Sequence, residues 1–347
     1  MKKCFLVFCV LLICISFCSC EEKKEKFSVH SFDYFDTVSS ITGYADDKES
    51  FDRVSEEIFD KLEEYHKLYT IYHRYEGLEN LCTVNELRDG AHRTVTVDQK
   101  IVDLLLYSKD IYYKTDGRVN IAMGSVLSIW HDYRTLGMDN PAEAKIPPME
   151  KLMEASLHTD IEDIIIDEEN NTVTLADPEM KLDVGAVAKG YATEMIAQYL
   201  EEKGITGYVL NVGGNVRTIG CKDDGSEWTV GIENPSEDET EPYFAYLKLS
   251  GESLVTSGSY QRYYIVDGKR YHHIIDPETL MPSDLYLSVS VITASSADAD
   301  ALSTALFCMT PEKGLELIES VDGAEAFWVG NDGTEFYSSG FMDYSSD

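Results

Sequence analysis

One short segment combines a carboxylate, an amine and several small residues, and this combination suits the binding of a phosphate group. Residues 183–192 read Asp-Val-Gly-Ala-Val-Ala-Lys-Gly-Tyr-Ala. If the segment opens a helix, its small residues let backbone N–H groups approach an anion closely, and Lys189 adds a positive charge. A packed helix with a surface lysine has the same pattern, so the segment alone leaves both interpretations open.

A second segment carries oxygen ligands that suit a hard cation. Residues 299–304 read Ala-Asp-Ala-Leu-Ser-Thr, and the four-residue step places Asp300 and Thr304 on one helix face. Mg²⁺ prefers oxygen ligands, and where the protein supplies few of them it keeps waters or takes substrate phosphate oxygens. Ser303 could add another ligand. A helix start with a satisfied hydroxyl is the alternative explanation.

Two histidines in front of a turn offer a proton acceptor. His272 and His273 are followed by Ile-Ile-Asp-Pro, which places Asp276 three residues after the second imidazole. A carboxylate within reach of an imidazole can orient it as a general base. The pattern is equally compatible with proton transfer by His273 and with a purely positioning role.

Two adjacent glycines follow an apolar stretch in Asn-Val-Gly-Gly-Asn, residues 211–215. Glycine adopts positive φ readily and allows another group to approach the backbone closely. The segment therefore predicts either a place where another group approaches the backbone closely or a simple tight turn after a strand.

The composition limits the class of partner. The chain has 63 Asp and Glu against 29 Lys and Arg, which gives a formal net charge of −34. So large a negative charge argues against nucleic acid or an anionic lipid surface as a partner. An anionic ligand would need a local device such as a metal ion, a helix start or a placed lysine. Neither a Rossmann glycine motif nor a P-loop motif occurs in the chain.

The N-terminus resembles a secretory signal. Lys2 and Lys3 precede an apolar run that ends near residue 17, and the chain turns strongly polar after Cys20. The segment before Cys20 resembles a lipobox, which predicts a signal peptide over residues 1–19 and a lipidated, charged tether over residues 20–30. Secretion with cleavage nearby is the alternative.

The chain after the leader must fold on its own core. Only Cys82, Cys221 and Cys308 follow Cys20, and three widely spaced cysteines do not form a disulfide framework. Residues 31–345 are predicted to form the folded part of the chain, either as one large domain or as two intimate halves. Its length and the hydrophobic content of 44% suffice for a large core.

The chemistry-bearing segments must be positioned by helices and short strands. Apolar residues at helical spacing predict a first helix between residues 51 and 68, and a second is predicted over residues 98–115. Residues 134–148 are rich in Pro, Asp and Asn and predict a loop that joins two halves. Strands are predicted at Ile164 to Asp167, Val173 to Leu175, Tyr208 to Val212, Trp228 to Ile232, Tyr243 to Leu249, Tyr260 to Val266 and Leu287 to Ile292.

Helices interrupt these strands at residues 186–203, closed by Gly204, and at residues 299–309. Hairpin turns are predicted at Asp267-Gly268 and at residues 331–333. The order of elements predicts an α+β fold with a mostly antiparallel sheet and flanking helices.

Taken together, the four segments resemble the ApbE family in their types, order and separation, from Phe35 to Phe307. The resemblance implies a T-fold-like, two-lobed single catalytic domain. It also implies an FAD:protein FMN transferase, which cleaves FAD with Mg²⁺, attaches FMN to a threonine of a partner protein and releases AMP. An FAD pyrophosphatase that yields FMN and AMP, or a non-catalytic flavin-binding lipoprotein, are the alternatives.

The resemblance also implies the roles of individual residues. The residues expected to be catalytic are His273, Lys189 and Asp300. Those expected to bind FAD are Phe35, Tyr72, Arg118, Val119, Asn120, Asp183, Lys189 and Ile274. Those expected to bind the metal are the carbonyl of Ala186 and the side chains of Asp300, Ser303 and Thr304.

Three positions depart from the family pattern. Phe35 stands where relatives have a methionine, Asn120 where many have an aspartate, and Leu280 where a glycine is common. The last departure puts the local turn geometry in doubt. The expected acceptor is a flavin-bearing subunit of a membrane redox complex, and the expected location is the cell envelope, outside the cytoplasm, with a lipid anchor in the membrane.

Overall fold

The computed structural model describes residues 23–86, 94–234 and 242–346. Cys20 and the predicted signal peptide lie outside the described residues. None of the described helices has the length and apolar character that a membrane crossing requires.

Fifteen strands and eight α-helices form the described fold. The strands are β1 (Glu25–Tyr34), β2 (Thr37–Ala45), β3 (Thr94–Thr96), β4 (Ile164–Asp167), β5 (Thr172–Leu175), β6 (Tyr208–Val212), β7 (Asn215–Ile219), β8 (Trp228–Glu233), β9 (Tyr243–Leu249), β10 (Ser253–Gly258), β11 (Tyr263–Val266), β12 (Lys269–His272), β13 (Tyr286–Thr293), β14 (Glu325–Gly330) and β15 (Glu335–Tyr337). The helices are α1 (Lys48–Tyr69), α2 (Leu81–Asn85), α3 (Gln99–Lys114), α4 (Gly124–Asp139), α5 (Met149–Ala155), α6 (Ala188–Glu202), α7 (Ser296–Phe307) and α8 (Pro311–Glu319).

The main sheet has eight strands in the order β1-β2-β6-β7-β10-β13-β14-β15. Every strand pair in this sheet is antiparallel. Smaller sheets consist of β3-β5-β4, β8-β9 and β11-β12. The predicted α+β class with a mostly antiparallel sheet is therefore confirmed.

Helices α6 and α7 pack against each other and cover the middle of the main sheet. Helix α6 lies on β6 and β7, whereas α7 lies on β10 and β13. Nearly all of α7 is buried, including the polar residues Asp300 and Ser303. Buried polar side chains need hydrogen-bond partners, so the burial of these two residues requires an explanation other than apolar packing.

The first helix follows the predicted periodicity. Phe51, Ile58, Leu62 and Leu68 are all buried on its inner face, and the Asp47 side chain caps the helix by accepting from the Ser50 N–H at 2.8 Å. The predicted hairpin at Asp267-Gly268 joins β11 to β12, and the helix α6 ends before Gly204, which has a φ of +71°.

Three predicted boundaries were wrong. Residues 25–30, predicted as tether, belong to the edge strand β1. Residues 134–139, predicted as loop, continue helix α4, because the prolines that suggested a loop begin only at Pro141. Residues 260–262, predicted as strand, form a turn that brings Arg262 to a cavity.

Candidate active site

A cavity of about 400 Å³ lies where α4, α6 and α7 meet the tip of the β1-β2 hairpin. This volume is in the range of small-molecule and cofactor sites. Twelve residues predicted from the sequence line it: Phe35, Tyr72, Arg118, Val119, Asn120, Asp183, Ala186, Lys189, His273, Ile274, Asp300 and Thr304. Residues that are up to 269 positions apart, Phe35 and Thr304, therefore meet at one site.

The carboxylate of Asp300 lies at the start of α6. Its Oδ2 accepts the Gly190 N–H at 2.8 Å, and the Lys189 Nζ lies 3.4 Å from each carboxylate oxygen. The first turn of a helix has N–H groups without intrahelical partners, and these favour a negative charge. Asp300 thus satisfies one such group and places its charge beside Lys189.

Gly190 allows this arrangement because it has no side chain. A Cβ at this position would lie 2.4 Å from both the Asp300 Cβ and the Ser296 carbonyl oxygen. Such a distance is well inside van der Waals contact, so the two helices could not keep their separation. The glycine is therefore explained by close helix packing rather than by a special backbone angle.

We expect Gly190→Ala to lower the free energy of unfolding by about 1–3 kcal/mol, because overpacking outweighs the higher helix propensity of alanine. Denaturant unfolding measures the change. Gly314→Ala is the matched control, since a Cβ at that helical glycine meets its nearest neighbour at an ordinary 3.4 Å. Equal stabilities of the two variants would contradict the argument.

The predicted metal ligands do not all face the cavity. Thr304 lines it, and its Oγ1 lies 3.5 Å from the Ser257 Oγ. Ser303 is fully buried, donates to the Asp300 carbonyl oxygen at 3.0 Å and lies 2.9 Å from the Ser257 Oγ. Its hydroxyl is therefore engaged between α7 and β10 and does not line the cavity.

The remaining donors suit a hard cation. Within the described ranges no three His, Cys, Asp or Glu side chains converge as a metal cluster. The cavity instead presents the Asp300 carboxylate, the Thr304 hydroxyl and the backbone of Ala186. Oxygen donors with a single carboxylate fit Mg²⁺ that keeps waters or shares phosphate oxygens.

His273 is held neutral beside this group. Burial lowers its pKa from 6.5 to about 3, and the positive charges of Arg262 and Arg134 add to the effect. Its Nδ1 is buried without a hydrogen-bond partner. The residue lines the cavity, and a neutral imidazole can accept a proton or a hydrogen bond from a group that enters there.

The expected orientation of His273 by Asp276 was wrong. Asp276 Oδ1 accepts from the buried guanidinium of Arg118 at 2.9 Å, and Glu278 pairs with the same guanidinium at 2.5 Å. Because two carboxylates hold Arg118, this residue forms a neutralised part of the wall. It provides no free charge for a ligand.

The cavity is less acidic than the rest of the chain. Apart from the neutralised Arg118, three basic residues line it, Arg134, Lys189 and Arg262, against the three acids Asp36, Asp183 and Asp300. In the whole sequence the acids outnumber the bases 63 to 29. This local excess of basic residues over their share in the whole chain lowers the repulsion that an anionic ligand meets in so negative a protein.

Arg134, Arg262 and His131 were not among the site residues predicted from the sequence. The Arg134 Nη2 lies 3.2 Å from the His131 Nδ1, and the Arg262 Nη2 donates to the Asp36 carbonyl oxygen at 3.3 Å. All three line the cavity. The scarcity of arginine in an acidic chain was the available signal, since each basic residue in such a chain is a candidate for anion binding.

Aromatic and imidazole rings form the wall opposite α6. The Tyr72 ring centroid lies 5.3 Å from that of His131, and the Phe35 ring meets the His66 ring edge-on at 5.6 Å. Phe35 also donates its N–H to the His66 Nδ1 at 3.1 Å. Tyr72 is 53% exposed, so its ring is accessible to a planar ligand.

The turn that carries Phe35 is strained. Phe35 and Asp36 have φ values of +53° and +51° and connect β1 to β2. Both central residues of this hairpin turn have positive φ, a conformation usually filled by Asn-Gly. Two non-glycine residues there cost conformational energy, and such strain is concentrated at functional sites.

The side-chain amide of Asn120 is hydrogen-bonded to backbone groups of the protein. Its Nδ2 donates to the Thr159 carbonyl oxygen at 2.9 Å, and its Oδ1 accepts the Ala122 N–H at 2.9 Å. The neighbouring Val119 is buried, as is Ile274 on the other side of the cavity. These three predicted binding residues therefore contribute shape and apolar surface.

Asp183 lies before α6 with its Oδ1 accepting the Gly185 N–H at 2.9 Å. Burial raises the pKa of its carboxyl group, and the hydrogen bond from Gly185 opposes that shift. A carboxyl group with a raised pKa in a cavity is a candidate for contact with a ligand's hydrogen-bond donors.

The glycine pair that follows β6 has the predicted geometry. Gly213 and Gly214 have φ values of +60° and +93°. A Cβ on Gly213 would lie 2.4 Å from the Thr37 Oγ1, so this turn packs closely on the β1-β2 hairpin.

Leu280 occupies a left-handed position in its turn. It adopts a φ of +58° although its side chain is buried. The Trp130 Nε1 donates to its carbonyl oxygen at 2.9 Å, which holds the turn against α4.

The chain matches the family model described as "ApbE family" over residues 35–328. It is 33% identical over 272 residues to an FAD:protein FMN transferase of Klebsiella pneumoniae, covering 76% of this chain and 81% of that one. It is 34% identical over 263 residues to an FAD:protein FMN transferase of Treponema pallidum, covering 72% and 70%.

The fold is similar to solved structures. The ApbE protein of Thermotoga maritima superimposes with a TM-score of 0.80 at 27% identity, covering 93% of this chain and 100% of that one. The flavin transferase ApbE of Vibrio cholerae superimposes with a TM-score of 0.75 at 26% identity, covering 92% and 99%.

Proposed function

The chain belongs to the ApbE family, and from this premise we propose that it is an FAD:protein FMN transferase that uses Mg²⁺ and a threonine acceptor. The observation that carries the proposal is the meeting of Lys189, Asp300 and His273 at one cavity. This set combines a cation for phosphate, a carboxylate for a metal and a neutral base. Each is a requirement of phosphoryl transfer.

The pyrophosphate of FAD would bind at the start of α6. Lys189 and the first N–H groups of this helix supply positive charge there. Arg134 and Arg262 line the same cavity and lower the cost of bringing an anion into an acidic protein. Phe35 and Tyr72 offer rings against which a flavin can pack.

Asp300, Thr304 and the Ala186 carbonyl would hold the magnesium ion. When bound, Mg²⁺ neutralises pyrophosphate charge and polarises the phosphorus centre. Asp300 is fixed for this role because Gly190 and Lys189 hold its carboxylate. Oδ2 of the carboxylate accepts from the backbone of Gly190, and Oδ1, which lies 3.4 Å from the Lys189 Nζ, would coordinate the ion.

The transfer exchanges one phosphorus–oxygen bond for another. The threonine hydroxyl oxygen forms a bond to the FMN phosphorus, the bond from that phosphorus to the bridging oxygen breaks, and AMP leaves with the bridging oxygen. His273 would accept the hydroxyl proton, because its imidazole is neutral and lines the cavity. Solvent then receives the proton.

A direct assay tests the proposal. The protein is incubated with FAD and Mg²⁺, with and without a flavin-accepting subunit of a redox complex from the same host. AMP release is measured by chromatography, and the acceptor is analysed by in-gel flavin fluorescence and mass spectrometry. The expected result is an FMN-sized mass increase on one threonine, which is lost when that threonine is replaced.

Other outcomes distinguish the alternatives. Free FMN and AMP without labelled protein, across several acceptors, would show a pyrophosphatase and overturn the transferase proposal. FAD binding without any AMP would show a non-catalytic flavin-binding protein. Transfer without added Mg²⁺ in the presence of a chelator would overturn the metal part of the proposal.

We further propose that Cys20 carries a lipid anchor that keeps the enzyme at the cell envelope, near a membrane redox complex. The support is the apolar leader and the polar residues that follow Cys20. We expect Cys20→Ala to release the protein into the soluble fraction or to leave it unprocessed, because one residue carries the lipids. Membrane fractionation followed by immunoblotting measures this. Unchanged membrane retention of processed Cys20→Ala would refute the anchor.

A further inference from the structure

Helices α6 and α7 cap each other. Asp300 of α7 accepts the N–H of Gly190 in the first turn of α6 at 2.8 Å. Glu194 of α6 accepts the N–H of Ser296, the first residue of α7, also at 2.8 Å. Each helix therefore satisfies an N–H at the start of the other with a carboxylate.

The Gly190–Asp300 and Ser296–Glu194 hydrogen bonds, called rungs below, connect α6 and α7 across their antiparallel contact, which is called the seam. Gly190 and Glu194 are one helical turn apart on α6, and Ser296 and Asp300 are one turn apart on α7. Helix α6 has no side-chain cap of its own at Val187. Loss of either rung would therefore leave a buried N–H without a partner and release one end of the seam.

Arg217 of β7 fixes the Glu194 carboxylate that accepts the Ser296 N–H. Its Nε lies 3.1 Å from the Glu194 Oε2, the same oxygen that accepts from Ser296. Its Nη1 donates to the carbonyl oxygens of Thr218 and Gly251 at 2.5 and 2.6 Å. The side chains of Arg217 and Glu194 are only 5% and 6% exposed.

A buried ion pair of this kind contributes little net stability compared with apolar packing, but it is costly to break on one side. Glu194 and Arg217 do not line the cavity, whereas Asp300, the acceptor of the other hydrogen bond between the two helices, does. The pair is therefore more readily explained by the geometry that it imposes on the seam than by stability.

We propose that Glu194, held by Arg217, is a positioning residue that sets where α7 begins relative to α6 and thereby directs the Asp300 carboxylate into the cavity. The expected effect of Glu194 on metal binding rests on the proposed function, in which Asp300 is a Mg²⁺ ligand. The expected effect of Glu194 on the Asp300–Gly190 hydrogen bond does not rest on that function.

Three variants and one control test the proposal. Glu194→Asp keeps the charge beside Arg217 but is one methylene too short to reach the Ser296 N–H. Glu194→Met removes both the charge and the oxygen that accepts the Ser296 N–H, and the double variant Glu194→Met with Arg217→Met avoids leaving an unpaired buried cation. Glu201→Gln is the matched control, because Glu201 also pairs with Arg217 at 3.1 Å but is 41% exposed, and the Ser296 N–H donates to Glu194 instead.

Two readouts need no turnover. The amide ¹H and ¹⁵N shifts of Gly190 report its hydrogen bond to Asp300 in the full-length protein, and electron paramagnetic resonance measures Mn²⁺ binding without FAD. The third readout is the Mg²⁺ concentration that gives half-maximal FAD cleavage. Thermal unfolding identifies any variant that fails to fold.

We expect the folded variants at Glu194 to shift the Gly190 amide, to weaken Mn²⁺ binding about tenfold and to raise the half-saturating Mg²⁺ concentration by a similar factor, with kcat at saturating Mg²⁺ within about twofold. Glu201→Gln should change none of these. A Gly190 amide and a Mn²⁺ affinity that stay at wild-type values in folded Glu194→Asp and in the double variant would overturn the proposal. So would a uniform loss of kcat at every Mg²⁺ concentration.

Failure of the proposed function gives a different pattern. If the wild type binds no Mn²⁺ and cleaves no FAD, the transferase proposal fails, yet the Gly190 amide still shows whether Glu194 controls the Asp300 hydrogen bond.

Discussion

Asp300→Asn is expected to reduce FAD cleavage by at least about 10³-fold while the protein stays folded. Asparagine keeps an oxygen that can accept the Gly190 N–H, so the seam between α6 and α7 retains its hydrogen bond. The variant loses the charge that faces Lys189 and that a magnesium ion requires. AMP release at saturating FAD measures the loss, and thermal unfolding checks the fold.

Asp298→Asn is the control for this variant. Asp298 lies on the same helix and is also partly buried, but it pairs with Lys114 and does not line the cavity. It should retain activity within a fewfold of the wild type. Removal of divalent cations by a chelator should reproduce the Asp300→Asn defect in the wild type. Substantial FAD cleavage by Asp300→Asn would show that the cation is held elsewhere.

His273→Gln is expected to lower kcat/KM by about 10²–10⁴-fold if the imidazole acts as the base. The pH profile separates this role from positioning. Burial and the nearby arginines lower the His273 pKa from 6.5 to about 3 in the free protein, so the imidazole stays neutral as the pH falls through 6.5. We therefore expect kcat/KM to show no loss from this group until the pH falls below about 4.

An acid limb near pH 6.5 that disappears in His273→Gln would contradict the neutral-base argument, because it would mean that His273 titrates at its ordinary pKa. Retention of full kcat/KM by the variant would instead show that the residue has no part in the reaction. The acid limb must be measured with FAD stable and the enzyme folded, which circular dichroism at each pH confirms.

The pattern of small residues around Lys189 and Asp300 made α6 and α7 predictable from the sequence. Both helices were placed to within three residues of their starts, since Ala188 and Ser296 begin the elements predicted at 186 and 299. Local signals suffice here because the motif and the helix start coincide.

The partners of the predicted residues were not predictable. Asp276 is three residues from His273 but turns towards Arg118, which is 158 positions away. Ser303 is next to Thr304 but faces Ser257 across the seam with β10. Sequence spacing indicates which side chains share a face, and only the packing of distant elements decides what that face meets.

Helix α4 was not predicted from the sequence for another reason. One side of it faces the core through Trp130, and another faces the cavity through His131 and Arg134. Apolar periodicity is weak in a helix with two buried sides, one of them polar. The edge strand β1 was missed similarly, because only Phe27, Val29 and Tyr34 of this strand pack inward among polar neighbours.

The left-handed turn at Phe35 and Asp36 has a consequence for engineering. Replacing the pair with Asn-Gly would relax the backbone of the hairpin, and a screen for thermostability alone would favour that change. The same exchange removes the ring that meets His66 at the cavity wall. Selection for heat resistance and selection for ligand binding would therefore favour different residues at positions 35 and 36. A library selected for thermostability alone would contain few active variants with changes at these two positions.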